Sequence, residues 1–501
     1  MNTVFNSLKK IDNMIYTENG AAAHKTTGSR VYDMFAVGGA YRKRSSEDCV
    51  LLFKEAYEEN ATLALKCLFY MRDIRGGQGQ RRFFRECFKW LIQADVDAAR
   101  RNLLNISEYG RWDDLIYTCL DTSLEKEMME IILKQLNLDI TCKAPSLLGK
   151  WMPSINASAR ATVAAAKRFC KAFHMTEKQY RKMLSGLRHK INVLEKLMSS
   201  NQWDKIEFDK IPSKAGLIYK NAFARRDIIA KKYETFAKSK DTKVNAAALY
   251  PYEIVQRVVD NFRYNYHGFN NYSIKFNGND IDRAMINKYW ANLPDYIHNS
   301  DKSMLCVIDT SGSMHGTPIN VAISLGLYAA ERCKGAFANH YISFASRPQF
   351  IETRGVDFVD KVSRIYATNL VDNTNLIAVF NLLESIAMQP GVNKNDMPDT
   401  ITIISDMQID GGAFDYGYSK YNLLSDMEKV RIKWKSLGLK MPKLVYWNVD
   451  ARGDANILDL SDNVSYVSGF SPVLFEQVLS GKTGYDLMVD KLMSKRYEIV
   501  K

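Results

Sequence analysis

The chain has 501 residues, 46% of them hydrophobic and 25% charged, and a formal net charge of +13. That length exceeds one ordinary core, so two or three domains are expected, and the apolar content excludes a disordered chain. No run approaches the roughly 20 apolar residues of a membrane span, and the start of the chain lacks a signal-peptide core, so a soluble cytoplasmic protein is expected.

The eight cysteines stand singly and away from zinc spacings. Cys67, Cys87, Cys119 and Cys170 fall in apolar helical patterns, where a thiol acts as a small hydrophobe. Charge divides unevenly: residues 301–501 carry 21 Lys+Arg against 23 Asp+Glu, and residues 1–300 carry 48 against 33. A one-sided basic excess suggests a polyanionic partner for the N-terminal part alone, the plain alternative being solubilising charge.

In chain order, residues 49–72 place Leu52, Ala56, Leu63, Cys67 and Met71 at three- and four-residue steps, which predicts an amphipathic helix. The Gly-rich turn Arg75-Gly-Gly-Gln-Gly-Gln80 follows, then a helix with Phe83, Phe84, Cys87, Phe88 and Leu91 on its apolar face. Arg72, Arg75, Arg81, Arg82 and Arg85 surround that turn, whose glycines would let backbone amides face an anion. It is no nucleotide-binding P-loop, because no Gly-Lys-Ser/Thr follows.

Helices are also predicted over 128–136, 159–173, 177–185 and 192–198. Helices joined by short turns up to about residue 265 suggest an α-solenoid, although no strict sequence period is present. A second basic patch holds Arg160, Lys167, Arg168, Lys171 and Lys178, then Arg181, Lys182, Arg188, His189, Lys190 and Lys196. Such a surface suits neutralisation of RNA phosphates, but no module for reading bases is visible. The interleaved Phe169, Phe173 and Tyr180 suit a core better than a stacking platform.

Residues 261–280, rich in Asn, Tyr and Gly, predict an extended connector. Beyond it apolar strand runs appear at 304–308, 340–345, 400–405 and 443–447, alternating with helical spacing, which implies a parallel sheet covered on both faces. The first strand runs into Asp309-Thr-Ser-Gly-Ser313, one carboxylate and two hydroxyls on a tight loop. Hard oxygen donors of this kind suit Mg²⁺ or Mn²⁺. Thr374, in a turn before a helix, and Asp406, ending the strand Ile401-Thr-Ile-Ile-Ser405, could reach the same ion. His315 is the only base beside the motif and the serines lack a nucleophile elbow, so catalysis is not expected.

In this order, the D-x-S-x-S loop, the threonine and the strand-end aspartate resemble the metal-ion-dependent adhesion site of von Willebrand A domains, over about residues 303–475. The resemblance implies that Asp309, Ser311, Ser313 and Thr374 hold the ion and that Asp406 binds it through water. It also implies that an acidic residue of a protein partner completes the coordination. The turn before the threonine reads Val371-Asp-Asn373, without the glycine that pattern expects.

A basic helical part followed by such a domain resembles the Ro ribonucleoprotein (TROVE) architecture, in which HEAT-like helices form a ring that holds RNA ends. A closer resemblance, to an uncharacterised family of this layout in bacteria, phages and plants, rests on several motifs. These are Arg72-Asp-Ile-Arg-Gly-Gly-Gln-Gly-Gln-Arg81, Tyr109-Gly-Arg-Trp-Asp-Asp114, Lys150-Trp-Met-Pro153, Tyr180-Arg-Lys-Met-Leu184 and Leu187-Arg-His-Lys190. Ser405-Asp-Met-Gln408 and Val467-Ser-Gly-Phe-Ser471 extend it.

The organisation expected is therefore an α-helical HEAT-like domain over 1–265, a connector over 266–300 and a von Willebrand A-type α/β domain over 301–501. The function expected is non-catalytic RNA binding through Arg72, Arg75, Arg81 and Arg82, together with Lys167, Arg168, Lys171, Arg181, Lys182, Arg188, His189 and Lys190. Magnesium-dependent docking would occupy the other domain. The alternative is a metal-dependent interaction or assembly scaffold, possibly phage-encoded, that binds no nucleic acid.

Overall fold

The computed structural model describes residues 9, 11–191, 194–247, 249–268, 271–297, 302–368, 372–411 and 426–501, with no side-chain placement at 266–268, 271 and 272. The first elements are a short antiparallel hairpin, β1 (Met14–Tyr16) and β2 (Ala22–His24), and helix α1 (Arg30–Val37), whose first turn is capped by Ser29. Helices α2 (Ser46–Glu59) and α3 (Ala61–Arg72) replace the single helix expected over 49–72. Asn60 breaks it by leaving helical dihedrals and accepting the Leu63 amide at 3.0 Å on its side chain, as a short amide readily does.

The helical run continues with α4 (Arg81–Ala94), α5 (Val96–Arg101), α6 (Asn105–Tyr109), α7 (Trp112–Cys119), α8 (Glu125–Thr141) and α9 (Leu148–Trp151). Next come α10 (Arg160–Ala172), α11 (Glu177–Lys190), α12 (Leu194–Ser199), α13 (Ser213–Arg225) and α14 (Asp227–Lys238). The apolar face read for α4 is buried as expected. Helix α11 starts in a Thr176–Gln179 capping box and runs past residue 185, where the predicted helix stopped. Residues 192 and 193 of the helix predicted at 192–198 lie outside the described residues.

After α15 (Pro251–Val259), the stretch read as a connector folds into an antiparallel hairpin, β3 (Phe262–Gly268) with β4 (Asn271–Phe276), and helix α16 (Asp280–Ala291). Its Tyr and Phe residues pair across strands, which composition alone does not reveal.

The remaining elements build the α/β part. They are β5 (Met304–Asp309), α17 (Thr317–Arg332), β6 (His340–Phe344), β7 (Phe350–Glu352), α18 (Phe358–Thr368), α19 (Leu376–Ala387) and β8 (Thr400–Ser405). Then follow α20 (Asp426–Ser436), β9 (Lys443–Asn448), β10 (Val464–Ser468), α21 (Leu474–Leu479) and α22 (Gly484–Leu492). The sheet order is β10-β9-β8-β5-β6-β7, parallel except for the edge strand β7. Every residue of β5 and β8 is buried; β5 is apolar up to Asp309, and β8 is Thr-Ile-Thr-Ile-Ile-Ser, without a charged residue. This six-stranded open α/β sheet is consistent with the von Willebrand A-type architecture expected from the sequence.

Packing divides the chain along other lines than sequence order. One compact unit comprises Met1–Cys67, Gly76–Gln78 and Leu249–Lys495, and the other Leu68–Arg75, Gly79–Ala248 and Arg496–Lys501. In the first, Gly39 donates its amide to Ser468 Oγ of β10 at 2.8 Å, and a Cβ there would lie 2.3 Å from the Ser468 carbonyl oxygen. Lys43 pairs with Asp450 at 2.5 Å and Arg44 with Asp454 at 2.8 Å, fastening the N-terminal residues to the α/β core.

The second unit is all helical. Its sequence carries 36 Lys+Arg against 21 Asp+Glu, a net of +15, and the α/β-containing unit carries 33 against 35, a net of −2. Its interior is organised by Asp114, fully buried, which accepts from Arg72 Nε and from Arg85 Nε at 2.8 Å each. Asp113 beside it accepts from Arg85 and Arg111 at 2.9 and 2.8 Å. Arg111 also lies 3.8 Å over the Trp151 ring. The motifs Arg72-Asp73, Tyr109–Asp114 and Lys150–Pro153 thus meet in one ion-paired, aromatic-backed cluster.

Candidate functional site

In the α/β unit the first strand delivers Asp309 to the carboxyl edge of the sheet, where open α/β folds bind their ligands. Asp309 is fully buried. It accepts the Ser405 hydroxyl at 2.5 Å and the Ser311 amide at 2.9 Å. The hydroxyls of Ser311 and Ser313 lie 3.0 Å apart. Asp406, at the end of the neighbouring strand β8, is equally buried; its Oδ1 accepts the Gln408 amide at 3.1 Å, and among the described residues no hydrogen bond reaches its Oδ2.

Two carboxylates out of water oppose each other's ionisation. Burial, then the charge of Asp406, pushes the Asp309 carboxyl up to about 6. Burial also raises Asp406, with the Ser313 hydroxyl and Arg452 pulling it back. Met407, immediately after, adopts a left-handed backbone with φ +65 although it is not glycine. Strain of that kind persists where the surroundings over-determine a loop. A divalent cation fits this chemistry: hard oxygen donors, an unsatisfied buried carboxylate oxygen and negative charge in excess.

Thr374 is buried, and its hydroxyl donates to the Gln408 carbonyl at 3.0 Å, tying the start of α19 to the loop that carries Asp406. The proton is spent but the oxygen lone pairs are not. The missing glycine before it bears on Val371, which lies outside the described residues; Asp372 accepts the Ser346 amide and hydroxyl at 3.1 and 2.9 Å instead. His315, beside the motif, is exposed.

Two contributors were not legible in the motif. Ser405 orients Asp309, and its only signal was its place just before Asp406 at a strand end. Arg452 places Nη1 3.8 Å from Asp406 Oδ2 and donates to the Ser313 carbonyl at 3.4 Å. It acts as a built-in counter-charge, so Arg452→Ala is expected to tighten Mn²⁺ binding by about tenfold, since a nearby unit charge in a partly solvated site is worth a few kcal/mol at most. Calorimetric titration with Mn²⁺ checks the direction; weaker binding would contradict it.

The basic residues of the helical unit separate into two groups. Arg72 is 2% exposed and paired with Asp114, so it is a structural cation and not an anion-facing one. Arg188 donates to the Gly149 carbonyl, Ser154 Oγ and the Met152 carbonyl at 2.9, 2.9 and 3.0 Å. Lys190 donates to the Ile140 carbonyl, and Arg168 pairs with Asp121 and Glu125 at 2.7 and 2.8 Å. Lys167 pairs with Glu177 at 3.4 Å and Arg75 with Glu108 at 3.7 Å at the surface, and the exposed Arg81 reaches the buried Asp113 at 3.9 Å. Arg82, Lys171, Lys178, Arg181, Lys182 and His189 are exposed.

In the Gly-rich turn, three backbone amides are already spent within the chain. Its amides at Arg75, Gly79 and Gln80 donate to Asp73 Oδ1, the Asp73 carbonyl and the Met71 carbonyl at 2.9, 3.0 and 2.7 Å. Phe169, Phe173 and Tyr180 are core residues, as their spacing suggested.

The profile of a family described as a domain of unknown function (DUF2828) matches residues 17–130 and 123–302, and a second such profile (DUF7788) matches 303–498. The chain belongs to the DUF2828 family. An uncharacterized protein, L728, of Acanthamoeba polyphaga mimivirus is 27% identical over 524 residues, covering 94% of this chain and 85% of that one. The crystal structure of the Deinococcus radiodurans Ro (RSR) protein aligns with a TM-score of 0.48 at 12% identity, covering 91% of this chain and all of that one. Within this DUF2828 chain, no helix of the described residues is long and apolar enough to cross a membrane.

Proposed function

We propose that this chain is a non-catalytic RNA-binding protein of the Ro/TROVE type whose helical unit holds RNA by its phosphates. The observation that carries the reading is the charge partition: a net of +15 in the helical unit and −2 in the other. Of the basic residues singled out in the sequence, most of those left exposed lie on α11: Lys178, Arg181 and Lys182 fall within about one turn of its solvent face, and His189 lies two turns further on. With the neighbouring aromatics buried, contact would be electrostatic and tolerant of sequence.

The α/β unit would dock an acidic residue of a protein partner. Asp309, Ser311, Ser313, Thr374 and Asp406 are the residues to hold Mg²⁺ or Mn²⁺, and the bound ion supplies the positive charge that a carboxylate seeks. Asp309 and Asp406 balance the charge of a dication, and Arg452, 3.8 Å from Asp406, leaves one positive charge for a further anionic ligand.

Charge reversal at Lys171, Lys178, Arg181 and Lys182 tests the RNA reading. For single-stranded RNA the slope of log affinity against log salt should flatten by about 3, at about 0.7 per lost phosphate contact. An unchanged affinity and slope would overturn phosphate binding at these residues, and no RNA binding by the unaltered protein would leave the metal-dependent scaffold that binds no nucleic acid.

A further inference from the structure

Within the helical unit, α11, α12 and the 154–156 loop enclose a cavity of about 340 Å³. That is the small end of the roughly 300–1,000 Å³ spanned by small-ligand sites, room for one nucleotide rather than a strand. Tyr180, Arg181, Leu184 and Arg188 line it from one side of α11, Glu195, Lys196 and Ser199 from α12, and Ser154 and Asn156 from the loop. Leu184 and the Tyr180 ring give it an apolar wall, and the Tyr180 hydroxyl is already spent on the Pro153 carbonyl at 2.9 Å.

The three cations differ in how they are held. Arg188 is fixed by three hydrogen bonds, to the Gly149 carbonyl, Ser154 Oγ and the Met152 carbonyl, which use three of a guanidinium's five N–H donors. Arg181 is exposed and Lys196 half-buried, so both can move onto a ligand. Glu195 is the acid in the lining, and the Tyr219 hydroxyl lies 3.3 Å from it. Three cations against one carboxylate leave two positive charges facing a space with hydroxyl and amide donors. A phosphomonoester carries nearly two negative charges near neutral pH, whereas each internal phosphate of a strand carries one.

We propose that this cavity binds the phosphomonoester of a single nucleotide, with Arg188 as the fixed donor and Arg181 and Lys196 closing on the phosphate. The nucleotide is either a free nucleoside monophosphate or the phosphorylated end of an RNA; only the second source rests on the RNA reading above.

The test titrates the full chain with AMP by phosphorus NMR, and separately with an RNA oligomer bearing either a 5′-phosphate or a 5′-hydroxyl. The same titrations are run on the Arg181→Ala/Lys196→Ala variant, which leaves the structural Arg188 in place. Saturable AMP binding weakened about tenfold in the variant supports a free nucleotide, and a preference of about tenfold for the phosphorylated RNA, lost in the variant, supports an RNA end, each matching the loss of charge-assisted bonds. Absence of AMP binding together with equal affinity for the two RNAs in the unaltered protein overturns the proposal, even if RNA binds well. If neither RNA binds but AMP does, the cavity proposal stands and the RNA reading fails.

Discussion

Asp309→Asn is expected to raise the stability of the magnesium-free α/β unit and to abolish its further stabilisation by magnesium. A residue that served only the fold would behave oppositely, because Asp309 is fully buried and bonded to Ser405 and to the Ser311 amide. An asparagine keeps one oxygen for the amide and can donate to Ser405, whose hydroxyl then accepts. What it removes is a buried charge facing Asp406. The carboxyl titrates at about 6 when folded against an ordinary value near 3.8. Between those values the folded state takes up a proton that the unfolded state does not, so this residue's contribution to metal-free stability falls as pH rises towards and through 6. The asparagine variant loses that component. Magnesium at a hundredfold its dissociation constant should add about 2.7 kcal/mol to the unaltered protein and essentially nothing to the variant. Calorimetry with EDTA or MgCl₂ at pH 5 and pH 7 measures both effects. A variant that is less stable yet responds fully to magnesium would remove Asp309 from the metal site.

The second large effect lies in the helical unit. Asp114→Ala should cost about 3–5 kcal/mol, because removing one partner strands another charge in the interior. Arg72 is 2% exposed and donates Nε to Asp114 at 2.8 Å, and the Arg111 amide caps α7 on the same carboxylate at 3.0 Å. Arg85, partly exposed, could turn to water; Arg72 could not. The double variant Arg72→Leu/Asp114→Leu should therefore recover part of the loss, since a buried ion pair replaced by apolar side chains of similar volume is often neutral. Urea unfolding followed by far-ultraviolet circular dichroism reads the midpoint shift. A single variant within about 1 kcal/mol of the unaltered protein would show that the network is dispensable.

The loop proposed to hold a metal was legible as a cluster of oxygen donors because its parts are local. Asp309, Ser311 and Ser313 sit on one loop after an apolar run, and Asp406 ends the next such run in the sheet. Strands β5, β8 and β9 declared themselves for the same reason: almost wholly buried, they are rich in β-branched and apolar residues, with charge confined to their ends. β7, three residues at an edge, and β10, Val-Ser-Tyr-Val-Ser, carried no such run. The basic residues were legible as charge but not as roles. Arg72 and Arg82 look alike in sequence, yet Arg72 is buried against an aspartate 42 positions away and Arg82 is exposed. Arg452 was invisible for the same reason, 46 residues beyond the Asp406 it faces. The grouping of residues 1–67 with the α/β part was equally hidden. It depends on contacts such as Gly39 against Ser468, which no local pattern encodes.

Ultraviolet cross-linking of the full chain to single-stranded RNA, mapped to peptides by mass spectrometry with and without EDTA, tests the central claim most directly. The account predicts cross-links on the peptides of α10 and α11 around Lys171–Lys182, unchanged by EDTA, and none at the Asp309 loop. Cross-links confined to the α/β peptides, or lost with EDTA, would contradict it.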